Sequence, residues 1–323
     1  MTISALLRRG ALALVLMTVA AAAPPRPAAN EDGGRIIGGD VAAPHSVPWQ
    51  VEIFWNSAVP GTGRVAQLNH QCGGALIAPQ WVLTAAHCFF DLNQPQQYSP
   101  ADFAAKFRLR IGTQQLDDRN GTVLAMANPI FVHAQFVNKG RGRKDTPDFT
   151  NDIALIRLAS PIIIDSSNRS RVALIAIDRS VGPDALVIPG RELTVTGWGR
   201  ATNLDAGRPD AKARSATLGG MEPDLKIVGV KVTNRDLCAD LPTTHFCAGA
   251  TGTAAAGACS GDSGGPAVVR DEDTRRPVLV GVVSSGDTNH CGLARAGSAF
   301  THVAQFVKWI DATLAAYKDR LPS

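Results

Sequence analysis

Gly261-Asp262-Ser263-Gly264-Gly265-Pro266 is the stretch on which the fold hinges. Glycines on either side of a serine let the backbone turn sharply, because glycine enters left-handed conformations at no steric cost. By itself such a hexapeptide fits any tight turn. Two segments upstream change that reading: Leu83-Thr84-Ala85-Ala86-His87-Cys88 and Asn151-Asp152-Ile153-Ala154-Leu155 place a histidine and then an aspartate ahead of the serine. Outward from these, short runs of β-branched and apolar residues recur between clusters of Gly, Pro, Asn and Asp. They are Val51 to Trp55, Gly74 to Ile77, Phe107 to Ile111, Ile153 to Leu158, Glu192 to Thr196 and Val278 to Val283. Many short strands punctuated in this way indicate an all-β sandwich or barrel. The one helical pattern is terminal, where Val303, Phe306, Val307, Ile310, Leu314 and Tyr317 recur at helical spacing as a stripe that docks on a core. Long loops are expected at 56–69, 91–103, 138–149 and 200–224, where turn formers and charges displace strand formers.

The 323 residues are 45% apolar and 19% charged, enough to bury a full core and unlike a disordered chain. The net charge is +4, and removing residues 1–35 takes away four basic and two acidic side chains and leaves +2. That balance argues against nucleic acid. Arg8 and Arg9, the apolar run from Ala11 to Ala20 and small residues through Ala23 make an export signal over 1–23, too short to cross a bilayer. The chain is therefore expected to be secreted or periplasmic and to have no membrane span. Residues 24–35 (PPRPAANEDGGR) carry nothing apolar to bury and read as an exposed pro-segment. Six cysteines, Cys72, Cys88, Cys238, Cys247, Cys259 and Cys291, form an even set suited to disulfides, with fifteen pairings open on spacing alone. No C-x-x-C spacing or histidine pair completes a metal site, so no metal or other cofactor is expected.

The three segments together resemble the chymotrypsin family of serine peptidases, whose TAAHC, DIAL and GDSGGP motifs occur in the same His, Asp, Ser order. The likeness extends through Ile36-Ile37-Gly38-Gly39, Cys72-Gly73-Gly74 and Thr196-Gly197-Trp198-Gly199, and spans residues 36 to about 317. It implies two packed six-stranded antiparallel β-barrels, about 36–160 and 161–300, then a C-terminal α-helix over about 302–318, with the active site between the barrels. His87, Asp152 and Ser263 would be the catalytic triad, and the N–H groups of Gly261 and Ser263 the oxyanion hole. The expected reaction is peptide-bond hydrolysis through an acyl-enzyme.

Three further expectations rest on the same resemblance. Cleavage after Arg35 by a trypsin-like protease would free the amine of Ile36 to pair with Asp262 and organise the oxyanion hole. Disulfides would join Cys72 to Cys88, Cys238 to Cys247 and Cys259 to Cys291. The primary specificity pocket would have Gly257 at its base and Ser284, Ser285, Gly286 and Ser298 along its other wall. With no acid at the base, a cation there would be buried without a partner, so small to medium apolar P1 residues are expected, and aromatic ones next. In this sequence Ser285 stands where the family's pocket strand carries a tryptophan. The implied partners are polypeptide substrates, the activating protease and protein inhibitors of such enzymes, acting on a monomer. The rival reading is a catalytically silent homologue that serves as a binding or regulatory module. An esterase of the α/β-hydrolase type would place Ser before Asp and His, the reverse of the order here.

Overall fold

Strand β4 (Trp81–Thr84) is buried along its whole length, and it is flanked on both sides by ladders that fix the chemistry at one end of a sheet. The computed structural model describes residues 39–58, 65–90, 107–116, 123–125, 127–141, 147–182, 185–200, 220–238, 240–250, 256–286, 291 and 297–317. Side chains at 56–69, 123–128, 140–147 and 237–238 are outside that description.

In the N-terminal half, β2 (Gln50–Ala58), β3 (Val65–Ala78), β5 (Phe107–Ile111), β6 (Val123–Ala125), β7 (Ala127–Val132) and β10 (Ala154–Leu158) join β4 in one antiparallel sheet, ordered β6-β5-β2-β3-β4-β10-β7. Val51, Ile53, Leu76, Val82, Leu83, Leu109, Ile111 and Leu155 are buried with Trp81 in one core cluster on its two faces. Such side chains contribute ~1.5 to 3 kcal/mol each on burial. A two-stranded hairpin, β8 (Val137–Arg141) with β9 (Pro147–Thr150), lies outside this sheet.

The C-terminal half closes on itself. Strands β12 (Glu192–Gly197), β13 (Lys226–Val232), β14 (His245–Gly249), β15 (Pro266–Arg270), β16 (Pro277–Ser285) and β17 (Ser298–His302) pair in the order β13-β12-β15-β16-β17-β14, and β14 returns to β13. Along β13, Val228, Val230 and Val232 point inward while Gly229 is exposed, the period of two expected of a strand with one wet face. They meet Leu193, Val195, Phe246 and Phe300 in a second core. The short strand β1 (Asp40–Val41) adds to the edge of β13, and β11 (Ala176–Ile177) pairs with β16 in parallel.

The all-β architecture with a closed six-stranded barrel and one terminal helix is as expected. The N-terminal half differs in detail: it is a half-barrel of seven strands, with no ladder between β6 and β7 among the described residues. Residues 56–58 and 65–69, expected in a loop, extend β2 and β3, and much of 138–149 lies in β8 and β9. Ladder bonds come from the backbone, so pairing runs past the point where the side-chain pattern fades. The helix α1 (Val307–Ala316) follows a 3-10 turn, Val303–Phe306, and buries Val303, Phe306, Ile310 and Leu314. Tyr317 rests edge-on to Phe131 and Trp81, its ring also facing Arg157.

Several bonds tie the halves together, two of them close to the serine turn and the sheet ends. Thr196 of β12 donates through Oγ1 to Gln50 Oε1 of β2 at 2.7 Å, and the Gly73 amide donates to the Ser263 carbonyl at 2.7 Å.

Candidate active site

His87 sits in a 3-10 turn, Ala86–Phe89, one residue after β4, and Asp152 is separated from β10 by Ile153 alone. Because β4 and β10 are antiparallel with Thr84 opposite Ala154, the end of one strand and the start of the other lie side by side. The His87 amide donates to Asp152 Oδ1 at 2.8 Å, and the His87 ring places Nδ1 2.7 Å from Asp152 Oδ2. With the carboxylate accepting, Nδ1 carries the proton and Nε2 is the nitrogen left free to act as a base. Ser284, at the end of β16, donates to Asp152 Oδ2 at 2.5 Å, so its hydroxyl serves the aspartate. Asp152 is fully buried. Burial opposes its charge, but attraction to His87, hydrogen bonds from His87 and Ser284 and the His87 amide outweigh it and hold the carboxyl below its usual range.

Ser263 arrives from the other half, at the turn before β15. The Asp262 amide donates to the Cys259 carbonyl and the Gly265 amide to the Asp262 carbonyl, which folds the turn back on itself. Gly261 and Gly264 have φ of +98° and +75°, and a side chain at Gly264 would collide with Thr84 Oγ1 and the Gly73 carbonyl. That collision is the reason a glycine must follow Ser263. His87, Ser263, Gly261, Ser284, Ser285, Gly286 and Ser298 all line one cavity of about 230 Å³.

Residues 36–310 match the sequence model of the family described as Trypsin. This chain belongs to the trypsin family. It is 30% identical to kallikrein-15 of Saguinus oedipus over 88% of its own length and 93% of that protein's, and 29% identical to kallikrein-15 of Homo sapiens over the same shares. It is 32% identical to chymotrypsin-C of Rattus norvegicus over 86% of its own length and 88% of that protein's. Membership makes the chain a serine endopeptidase acting on polypeptides, and neither its site nor its relatives mark a silent binding module.

Within the trypsin-family site, Asp262 is fully buried and accepts from the Gly199 and Cys259 amides at 2.8 Å each. A side chain at Gly197 or Gly199 would run into its carboxyl group, which accounts for the two glycines around Trp198. Burial, with Glu222 nearby, pushes the Asp262 carboxyl up to about 6, although the two amide bonds and His70 pull against it. Arg35 and Ile36 lie outside the described residues.

Among the described residues the pocket walls are uncharged. Ala258, Val283, Ser284, Ser285, Gly286 and Ser298 line them, and Ser298 spends its hydroxyl on the Ala258 carbonyl at 3.3 Å. Gly257 is buried next to Ala258, and it is Ala258 that faces the cavity, one residue from the position expected at the base. Cys72–Cys88 ties β3 to the His87 turn, and Cys259–Cys291 braces the pocket wall behind the serine turn. Cys247 is also in a disulfide, and the side chain of its expected partner Cys238 lies outside the described residues. Cys72, His87 and Cys88 form the one grouping of three potential metal ligands among the described residues, and both of its sulfurs are spent in a disulfide.

Sequence reading missed the aromatic wall and the buried polar groups behind the site. Phe149 of β9 stacks flat on the His87 ring, centroids 4.7 Å apart, with Phe136 and Phe90 beyond it. An aromatic three residues before a turn acid carries no local signal of that role.

Proposed function

We propose that the enzyme works through Ser263 as nucleophile, His87 as general base and acid, and Asp152 as the group that orients and stabilises the imidazole. The single observation that supports this most is the His87–Asp152 bond of 2.7 Å in the cavity that Ser263 also lines. A serine hydroxyl is a weak nucleophile at neutral pH. His87 Nε2 takes the Ser263 proton as Oγ attacks the scissile carbonyl, then delivers it to the leaving amine, which leaves an ester on Ser263. Water, deprotonated by the same nitrogen, hydrolyses that ester. The N–H groups of Gly261 and Ser263 stabilise the oxyanion, and loss of such a donor costs ~3 to 4 kcal/mol in comparable enzymes.

The precursor is exported under the signal at 1–23 and held inactive by residues 24–35. Cutting after Arg35 by a trypsin-like protease releases the α-amine of Ile36, whose charge offsets the buried Asp262. The mature chain, 36–323, acts as a monomer and is open to protein inhibitors that enter the cleft as substrates do. Among the described residues no helix is long and apolar enough to cross a membrane.

At P1 the enzyme prefers Ala, Val and Leu, with Phe next. The uncharged lining among the described residues supports this, since Lys or Arg would lose hydration there without gaining a partner from them. The test is kcat/KM on substrates matched except at P1, measured on protein whose N-terminus reads Ile-Ile-Gly-Gly. A preference for Lys or Arg would refute the pocket reading, and full activity of an Arg35→Gln precursor would refute the zymogen.

A further inference from the structure

We propose that His245 and Thr301 are positioning residues that hold the main chain of Asp152, and through it the His87–Asp152 hydrogen bond, in register. The inference rests on the triad reading above. His245 opens β14 and is fully enclosed, and it stands directly opposite Thr301 of β17 in the ladder. Thr301 Oγ1 donates to the Asp152 carbonyl at 2.7 Å and lies 3.3 Å from His245 Nε2. The threonine hydroxyl has one proton, and the shorter bond to Asp152 takes it. Towards His245 the oxygen can only accept, so Nε2 carries the hydrogen. His245 Nδ1 is then bare and accepts from Thr244 Oγ1 at 3.3 Å. With a neutral imidazole the result is one directed chain, Thr244 to His245 to Thr301 to the Asp152 carbonyl.

Burial keeps it neutral. The His245 ring is pushed down to about 4 by its enclosure, with Arg235 adding to the effect and Asp152 and Asp148 opposing it. The neutral form therefore holds throughout the working range of a His-based catalyst.

The chain matters because Asp152 has only a few points of hold. Its carboxylate is gripped by Ser284 and by the His87 amide and ring, while its backbone follows Asn151, which sits at φ +52°. Left-handed backbone at a residue other than glycine is uncommon and persists where its surroundings fix it. Asn151 Nδ2 holds the Gln135 carbonyl on one side, and Thr301 holds the Asp152 carbonyl on the other. Without Thr301 Oγ1 that buried carbonyl loses its partner, and the peptide after Asp152 swings to find another, carrying the carboxylate away from His87.

The experiment uses the processed enzyme and two readouts: steady-state kinetics and the downfield proton resonance of His87 Nδ1–H in its bond to Asp152. Thr301→Val is expected to lower kcat about tenfold with KM within about twofold, and to shift or broaden the resonance, with Thr301→Ser restoring both. His245→Gln reaches as far as Nε2 and can still donate to Thr301, whereas His245→Asn stops near Nδ1. The glutamine variant should keep the resonance and the asparagine variant should lose it. An unchanged resonance and kcat in Thr301→Val, or equal behaviour of the His245 pair, would overturn the proposal. Should Thr301→Val fail to fold, the His245 pair decides. If hydrolysis proved independent of His87, the triad reading would fall, but the resonance would still decide this link because it reports geometry and not turnover.

Discussion

His70 donates from Nε2 to the Gly261 carbonyl at 2.7 Å and so joins β3 to the serine turn across 191 residues of chain. Its other nitrogen, Nδ1, faces Glu52 Oε1 at 3.7 Å, and Arg110 Nη1 lies 3.4 Å from Glu52 Oε2. All three side chains are buried. Arg110 also donates to the Leu116 carbonyl and packs over the Phe54 ring, so it cannot swing out to water cheaply. A guanidinium does not lose its proton in a protein. Glu52→Ala should therefore destabilise the fold by ~3 to 5 kcal/mol, because it removes the carboxylate from a buried ion pair. Urea unfolding with an unchanged slope measures this, and a loss below ~1 kcal/mol would show that the pair is dispensable.

Asp262 gives the precursor a distinctive pH dependence. Its carboxyl is raised from 3.8 to about 6 by burial, so between those values the folded chain binds a proton that the unfolded chain has released. The contribution is present in full below pH 3.8 and is lost as pH rises through 6, on the order of 3 kcal/mol in all. Processing should remove most of that loss by supplying the Ile36 amine. Comparing precursor with processed protein by denaturant unfolding at pH 4 and pH 7 tests it, and identical pH slopes would contradict the pairing.

His245 works in the opposite sense. The unfolded histidine titrates at 6.5 while the folded one stays neutral down to about 4, so stability falls as pH drops through that window, again on the order of 3 kcal/mol. In the precursor the two groups partly cancel. His245→Gln, which has nothing to titrate, should resist acid better than wild type relative to its own stability at pH 7. An acid-unfolding curve parallel to wild type would count against this.

Gly286 faces Ser298 across the pocket, and a Cβ built on it would lie 3.8 Å from Ser298 Cα and 3.9 Å from its Oγ. Gly286→Val should fill the entrance and lower kcat/KM on Leu and Phe substrates at least tenfold, and leave Ala substrates within about threefold. A uniform loss across all P1 residues would mean the substitution had damaged the site as a whole.

How much of this could be read from sequence follows the range of the interaction. Ile310 and Leu314 announce a helix stripe through spacing alone, and the three motif segments single out His87, Asp152 and Ser263 through their likeness to the family's motifs. The extent of β2 and β3 was not legible, since residues 56–58 and 65–69 pair through backbone groups that every sequence possesses. His70, Glu52 and His245 were missed for a different reason. Their partners lie 191, 58 and 56 residues away, and a lone buried polar residue has no pattern that foretells which strand it will face. At the pocket base, Gly257 and Ala258 are neighbours in a run of small residues, and only the fold decides which one faces inward.

The account stands or falls on Ser263. Processed wild-type enzyme treated with a fluorophosphonate and digested for mass spectrometry should carry the adduct on Ser263 alone, with loss of peptidase activity in step with labelling. Reaction should be abolished in Ser263→Ala and at least about a thousandfold slower in His87→Ala. Labelling of a different serine, or an unlabelled Ser263 in enzyme that has lost its activity, would contradict it.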